Sequence, residues 1–187
     1  MVFEEQKQHQ LSKPDMSKKG FIDKEILELV NIINKSKNYY TTSSCAGRTV
    51  LLSRKTQKKI DCEWLYTDHK EANPKKIQEI LKSPPEHPTW LHMEPAILHV
   101  VCKDLKDAEK LLVVCKHTGF KYSGIISIGK RITVEVLGSD QLQTIVSDKN
   151  TLLITNTYLK RLIEECNTKM KRNKARIERF FEAFKTI

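Results

Sequence analysis

Thr41-Thr42-Ser43-Ser44-Cys45-Ala46-Gly47-Arg48-Thr49-Val50-Leu51-Leu52 sets four hydroxyls, a thiol, a glycine and an arginine directly ahead of an apolar run. Upstream, Ile22, Ile26, Leu29, Val30 and Ile33 recur at three- and four-residue spacing, the period of an amphipathic helix. The order is therefore helix, small-residue turn, buried strand. Residues Ser43–Arg48 read in two ways. Backbone N–H groups at a Ser/Gly turn form a concave nest for an anion, and the guanidinium adds a bidentate grip. Equally, the segment is a glycine turn with an arginine facing water.

The chain continues with strands. Thr49–Ser53, a basic turn over Arg54–Lys59 and a strand over Ile60–Thr67 form a hairpin whose tip either touches phosphates or is simply solvated. Pro74 opens a short helix carrying Ile77, Ile80 and Leu81, ended by Pro84-Pro85. The most apolar stretch, Trp90–Asp104, contains His92, Glu94 and His99. In an extended chain His99 shares a face with Ile97 and Val101 and reads as a core histidine or as a polar site residue. Asp104 is an N-cap and Gly119 a helix stop. Ser123-Gly124 then leads into a strand, a turn at Gly129-Lys130-Arg131 and a strand over Ile132–Leu137. That order repeats residues 21–67 and reads as an internal duplication that puts the two Ser/Gly turns in equivalent positions. Residues 138–150 read as a polar connector and Thr151–Ile154 as a short strand.

The last segment, residues 156–185, is a long helix with Leu159, Ile163, Cys166, Met170, Ile177, Phe180, Phe181 and Phe184 on one side. It is also strongly basic. The whole chain of 187 residues carries 33 Lys+Arg against 23 Asp+Glu, a net charge of +10, which points to a polyanionic partner, nucleic acid ahead of a membrane surface. Asn173 interrupts the apolar stripe, as a ligand contact or a satisfied buried amide. Five cysteines without a Cys-x-x-Cys pair argue against a disulfide framework and a zinc cluster, and no metal site is expected. With no leader-like or membrane-length apolar run, a cytoplasmic or nuclear location is expected, the cytoplasm first. The expected architecture is α+β: a mixed sheet with flanking helices, non-Rossmann, with a long basic C-terminal helix. An N-terminal arm over residues 1–20 precedes a single domain over 21–187.

Common catalytic motifs are missing. There is no Gly-x-Gly-x-x-Gly, no phosphate-loop Gly-Lys-Ser/Thr, no His-Glu-x-x-His and no Gly-x-Ser-x-Gly. Five ordered blocks carry a different signal. They are Thr41–Arg48; Glu94-Pro95 ahead of Ile97-Leu98-His99-Val100; Asp104-Leu105 through Asp107-Ala108; Gly119-Phe120 with Ser123-Gly124-Ile125; and Asn167–Met170 leading to Asn173-Lys174 and Arg176–Phe180. Together, from about Leu11 to Phe184, they resemble the wybutosine-synthesis methyltransferase family.

That resemblance implies an S-adenosylmethionine-dependent enzyme that methylates a ring nitrogen of the tricyclic guanine derivative beside the anticodon of phenylalanine tRNA. It implies that Ser43, Ser44, Gly47, Arg48, Glu94, Ser123 and Gly124 face the methyl donor, with Arg48 holding either the donor's carboxylate or a tRNA phosphate. His99 is the catalytic candidate, orienting the base or accepting a proton. His92, Asn173, Lys174 and Arg176 fall to the tRNA. Methyl transfer is an in-line displacement that chiefly needs alignment, so Cys45 is assigned to packing rather than to a covalent step. The competing class is a non-catalytic basic RNA-binding module.

Overall fold

A computed structural model describes residues 2–13, 22–56 and 61–187. Lys58, Lys59 and Ile60 of the expected hairpin, and most of the link from the N-terminal arm to residue 21, lie outside the described residues. The elements in order are α1 (Phe3–Leu11), α2 (Leu27–Lys35, entered through a single turn of 3-10 helix at Lys24–Ile26), β1 (Tyr39–Cys45), β2 (Arg48–Arg54), β3 (Cys62–Asp68), α3 (Pro74–Ile80), β4 (Thr89–Glu94), β5 (Ile97–Cys102), α4 (Leu105–Thr118), β6 (Gly124–Ser127), β7 (Ile132–Leu137), β8 (Leu142–Asp148), β9 (Thr151–Leu152) and α5 (Asn156–Phe184). They divide between two compact units, one built from Met1–Ala46, Ala96–Ser139 and Lys174–Ile187, the other from Gly47–Pro95 and Asp140–Asn173.

The first unit has a four-stranded sheet in the order β1-β5-β7-β6, antiparallel throughout. Alternation along the strands sorts its faces. Tyr39, Leu98, Val100, Cys102, Val134 and Val136 point to a core completed by α2, α4 and the last turns of α5, through residues such as Leu29, Ile33, Leu111, Phe120, Phe180 and Phe184. Each such side chain withdrawn from water contributes about 1.5–3 kcal/mol. Tyr39 also donates its hydroxyl to the Asp107 carbonyl oxygen at 2.9 Å, tying β1 to α4. The local signals for α4 act as their chemistry requires. Asp104 accepts the Asp107 N–H at 2.8 Å, and Gly119 ends the helix at φ 95°, a left-handed conformation that favours glycine. On the opposite sheet face, Phe3 of α1 packs at a tilt against Tyr40 with ring centroids 5.4 Å apart, and Lys7 donates to the Ser36 carbonyl oxygen.

The second unit has a five-stranded antiparallel sheet in the order β3-β2-β4-β8-β9. Leu51, Leu91, Met93 and Val146 pack one of its faces against α3 and the first part of α5, through Ile77, Leu81, Leu159, Ile163, Cys166 and Met170. Asn73 caps α3 by accepting from Lys75 and Lys76 N–H groups. The Asn167 amide brackets Ala72, accepting its N–H at 2.7 Å and donating to its carbonyl oxygen at 3.1 Å.

The α+β, non-Rossmann class holds, but two antiparallel sheets stand where one mixed sheet was expected. The extra strand pairings come from residues 138–150, which contain β8 and are not a connector. Leu142, Thr144 and Val146 alternate with Gln143, Ile145 and Ser147, and the turn to β9 places Lys149 and Asn150 at φ 49° and 59°, the backbone of a two-residue primed hairpin. The repeated order of elements does not extend to pairing. The β2–β3 hairpin lies in the second unit's sheet, whereas β6–β7 lies in the first. The Ser43–Arg48 segment is also not one turn. Ser43, Ser44 and Cys45 are in β1, Arg48 starts β2, and only Ala46-Gly47 links them, with Gly47 at φ 90°.

Candidate active site

In the first unit, antiparallel register brings Ser43, His99, Glu135 and Gly124 into one row across β1, β5, β7 and β6. Directly opposed residues share a face, and here it is the face away from the packed core. Ser43 is exposed at the edge. Its Oγ lies 3.0 Å from His99 Nδ1, and His99 Nε2 lies 3.0 Å from Glu135 Oε2. A carboxylate only accepts, so a ring N–H at Nε2 donates to Glu135, and Nδ1 is left to accept the Ser43 hydroxyl. His99 remains 33% exposed at its side chain, open to an incoming group. Next to Glu135, a Cβ built on Gly124 would meet nothing within 4 Å, so the row ends in open space.

Ser44 and Ser123 are placed differently. A bulge between Thr41 and Ser43 resets the register so that Ser44 pairs with Leu98 on the core-facing side. The Ser123 hydroxyl accepts the Leu137 N–H at 3.0 Å, pinning β7 to the start of β6. Arg176 is buried with its guanidinium 5.9 Å from the Phe120 ring centroid, and a Cβ on Gly119 would come within 3.0 Å of its Nε. Lys174 is exposed.

In the second unit, Arg48 and Glu94 are a register pair of β2 and β4, joined by Arg48 Nε to Glu94 Oε2 at 2.6 Å. The guanidinium also lies 4.6 Å from the Trp64 ring centroid. With side chains 31% and 39% exposed, the ion pair itself stabilises the fold by at most about 1 kcal/mol. Two residues before Glu94 on the same face, His92 is 6% exposed. Its Nδ1 is 4.0 Å from Glu94 Oε1, beyond a hydrogen bond, and its Nε2 is buried without a partner among the described residues. Burial, aided by the nearby Arg54 and Arg48 charges, lowers the His92 pKa from its ordinary value against the opposing pull of Glu94. Asn173 is 1% exposed, at the end of this unit's share of α5.

Reading the sequence alone misses Glu135 and Trp64. Each is a polar or amphipathic residue at alternate positions of a strand, the pattern of an ordinary half-solvated face. Only the cross-strand register sets Glu135 beside His99. Three cysteines, Cys102, Cys115 and Cys166, are buried with their thiols pushed up to about 12, which makes them poor nucleophiles.

Residues 5–186 match the family model described as Methyltransferase TYW3. A Homo sapiens relative, the tRNA wybutosine-synthesizing protein 3 homolog, is 39% identical over 177 residues, covering 91% of this chain and 68% of the relative. A Methanocaldococcus jannaschii relative, named tRNA(Phe) 7-((3-amino-3-carboxypropyl)-4-demethylwyosine(37)-N(4))-methyltransferase, is 36% identical over 176 residues, covering 92% of this chain and 91% of the relative. Among solved structures, the PH1069 protein from Pyrococcus horikoshii superposes with a TM-score of 0.87 at 32% identity, covering 96% of this chain and 94% of that one. The chain belongs to the methyltransferase TYW3 family and is a methyltransferase.

Proposed function

We propose that the protein transfers a methyl group from S-adenosylmethionine to a ring nitrogen of the demethylated wyosine precursor next to the anticodon of phenylalanine tRNA. Support comes from the names of relatives such as the Methanocaldococcus jannaschii enzyme and, within this chain, from the Ser43–His99–Glu135 row. That row is the observation that carries the reading.

A ring nitrogen that gains a methyl group loses its proton. The exposed Ser43 hydroxyl passes such a proton to His99 Nδ1 when its own hydrogen moves onto the ring, and the Glu135 carboxylate stabilises the imidazolium that results. His99 is the catalytic residue, and Glu135 is a positioning residue that fixes its tautomer. Gly124 leaves room beside them for a flat base.

S-adenosylmethionine, when bound, supplies an electrophilic methyl group on a sulfonium centre. The second unit's cluster fits its amino-acid end. Arg48 offers a carboxylate partner and Glu94 an ammonium partner, Trp64 offers an aromatic face, and His92 Nε2 is a buried polar atom in need of a partner. His92 therefore moves from the tRNA to the donor in this reading, while Gly47 supplies the φ 90° bend that starts β2 at Arg48. Lys174, exposed on α5, serves as a phosphate contact, and the buried Asn173 and Arg176 hold the helix that presents it. A cytoplasmic location accompanies this role in tRNA processing.

Transfer of a labelled methyl group to tRNA carrying the precursor, compared with unmodified tRNA, tests the specificity. Turnover confined to the precursor is expected, and equal rates on both would overturn it. Arg48→Ala should weaken the donor about tenfold, as for loss of one charge-assisted hydrogen bond, with tRNA affinity unchanged. The opposite pattern moves Arg48 to the RNA.

A further inference from the structure

A cavity of about 160 Å³ opens in the first unit where α1, the end of β5 and the β6–β7 turn meet. Phe3 and Val101 form its apolar side, and Lys103, Lys130 and Arg131 ring it beside Gly129. No carboxylate lines it, and none of the three cations has an ion-pair partner among the described residues. Three like charges around one hollow repel one another, and the arrangement is relieved by an anion placed among them. The volume exceeds several water molecules at roughly 30 Å³ each, room for a tetrahedral oxyanion. Gly129 leaves the turn backbone bare, since a Cβ there would meet nothing within 4 Å. A phosphate can therefore approach the main chain closely.

A second observation concerns Tyr40, which neighbours two lining residues. It pairs with Val101 and packs at a tilt against Phe3, it is fully buried, and its hydroxyl has no hydrogen-bond partner among the described residues. Burial raises its pKa, against a weaker lowering by the Arg131 charge, so it stays a neutral O–H donor beside a guanidinium. The cavity also reaches the His99 face of the sheet. Val101, which lines it, follows His99 by two residues on β5 and so shares that face, while Ile132, three residues before Glu135 on β7, faces the core and marks only the end of that strand. At about 3.3 Å per residue, the cavity is roughly 7–10 Å along the strands from the row, within reach of a neighbouring nucleotide.

We propose that this cavity is a phosphodiester subsite: Lys103, Lys130 and Arg131 hold one backbone phosphate of the tRNA while an adjacent base is presented to His99. The inference rests on the tRNA reading above.

Binding of the precursor tRNA is measured across salt for the wild-type protein, for Lys130→Gln/Arg131→Gln, and for Lys106→Gln/Lys116→Gln. The last pair removes the same charge from exposed positions on α4. Thermal unfolding confirms that each variant is folded. The cavity pair should weaken binding at least about tenfold and flatten the slope of log K against log salt by about one to two, whereas the control pair should change Kd less than about twofold. Equal losses in both pairs, or no loss in the cavity pair, overturn the subsite. A third arm uses inorganic phosphate alone. Stabilisation of the wild type by phosphate, together with unchanged tRNA affinity in the cavity pair, makes this a free-anion site and also overturns the proposal. If the wild type neither binds nor methylates the tRNA, the functional reading itself fails. If it does both and the cavity pair matches it, only the subsite fails.

Discussion

His99 and His92 each sit on an inner strand of an antiparallel sheet, and each has a glutamate on its polar side, yet their surroundings make them different reagents. His99 has a partner on both ring nitrogens and keeps a third of its side chain in solvent. His92 is sealed, with one nitrogen 4.0 Å from its glutamate and the other unpartnered among the described residues. A histidine that exchanges protons needs access and a partner for its charged form. One that is desolvated between cations is held neutral and is suited to hydrogen bonding alone. Residue type thus says little until register and burial are known.

The largest expected effect is at His99. His99→Ala should lower kcat for methyl transfer by about 10²–10⁴, with donor and tRNA affinities within about threefold of wild type. A loss below about tenfold would mean that His99 is no proton acceptor. Glu135→Gln is the next largest effect. Its amide can present either a donor or an acceptor to the ring and so loosens the tautomer, for which a fall of roughly ten- to a hundredfold in kcat is expected with KM nearly constant. A change confined to KM would make Glu135 a substrate contact instead.

The smallest effect concerns stability at His92. The folded state resists protonating this ring, so just below the ordinary value of 6.5 the unfolded chain binds more protons and stability falls as pH falls. Above that value the contribution is fully present. His92→Phe should therefore lose less thermal stability than wild type, by a few degrees, on going from about pH 7.5 to about pH 5. Parallel curves would show that His92 is not held neutral by its site.

Local chemistry was readable where a few neighbouring residues decide the outcome. Asp104 and Gly119 bound α4 because an N-cap acceptor and a left-handed stop act over one turn. The apolar stripe of α5 likewise announces its buried side. Long-range pairing was not readable. A single bulged residue, Thr42, turns Ser43 toward His99 and Ser44 toward Leu98, and nothing in Thr42-Ser43-Ser44 announces it. Strand β8 was hidden because apolar and polar residues fall on both of its faces, and its turn uses Lys149-Asn150 rather than a glycine pair. Arg176 is given to the tRNA by the family resemblance alone, while its place over Phe120 depends on how α5 meets the end of α4.

The interleaving of the chain bears on how the protein is made. Gly47–Pro95 and Asp140–Asn173 build the second unit's core, the intervening and flanking segments build the first unit's, and α5 contributes Leu159 through Met170 to the second and Ile177 through Phe184 to the first. During synthesis, therefore, neither hydrophobic core can close while the ribosome is still adding α5, although every strand precedes that helix in the chain. Nascent chains should wait as paired strands with exposed apolar faces, a stage at which chaperone protection matters most.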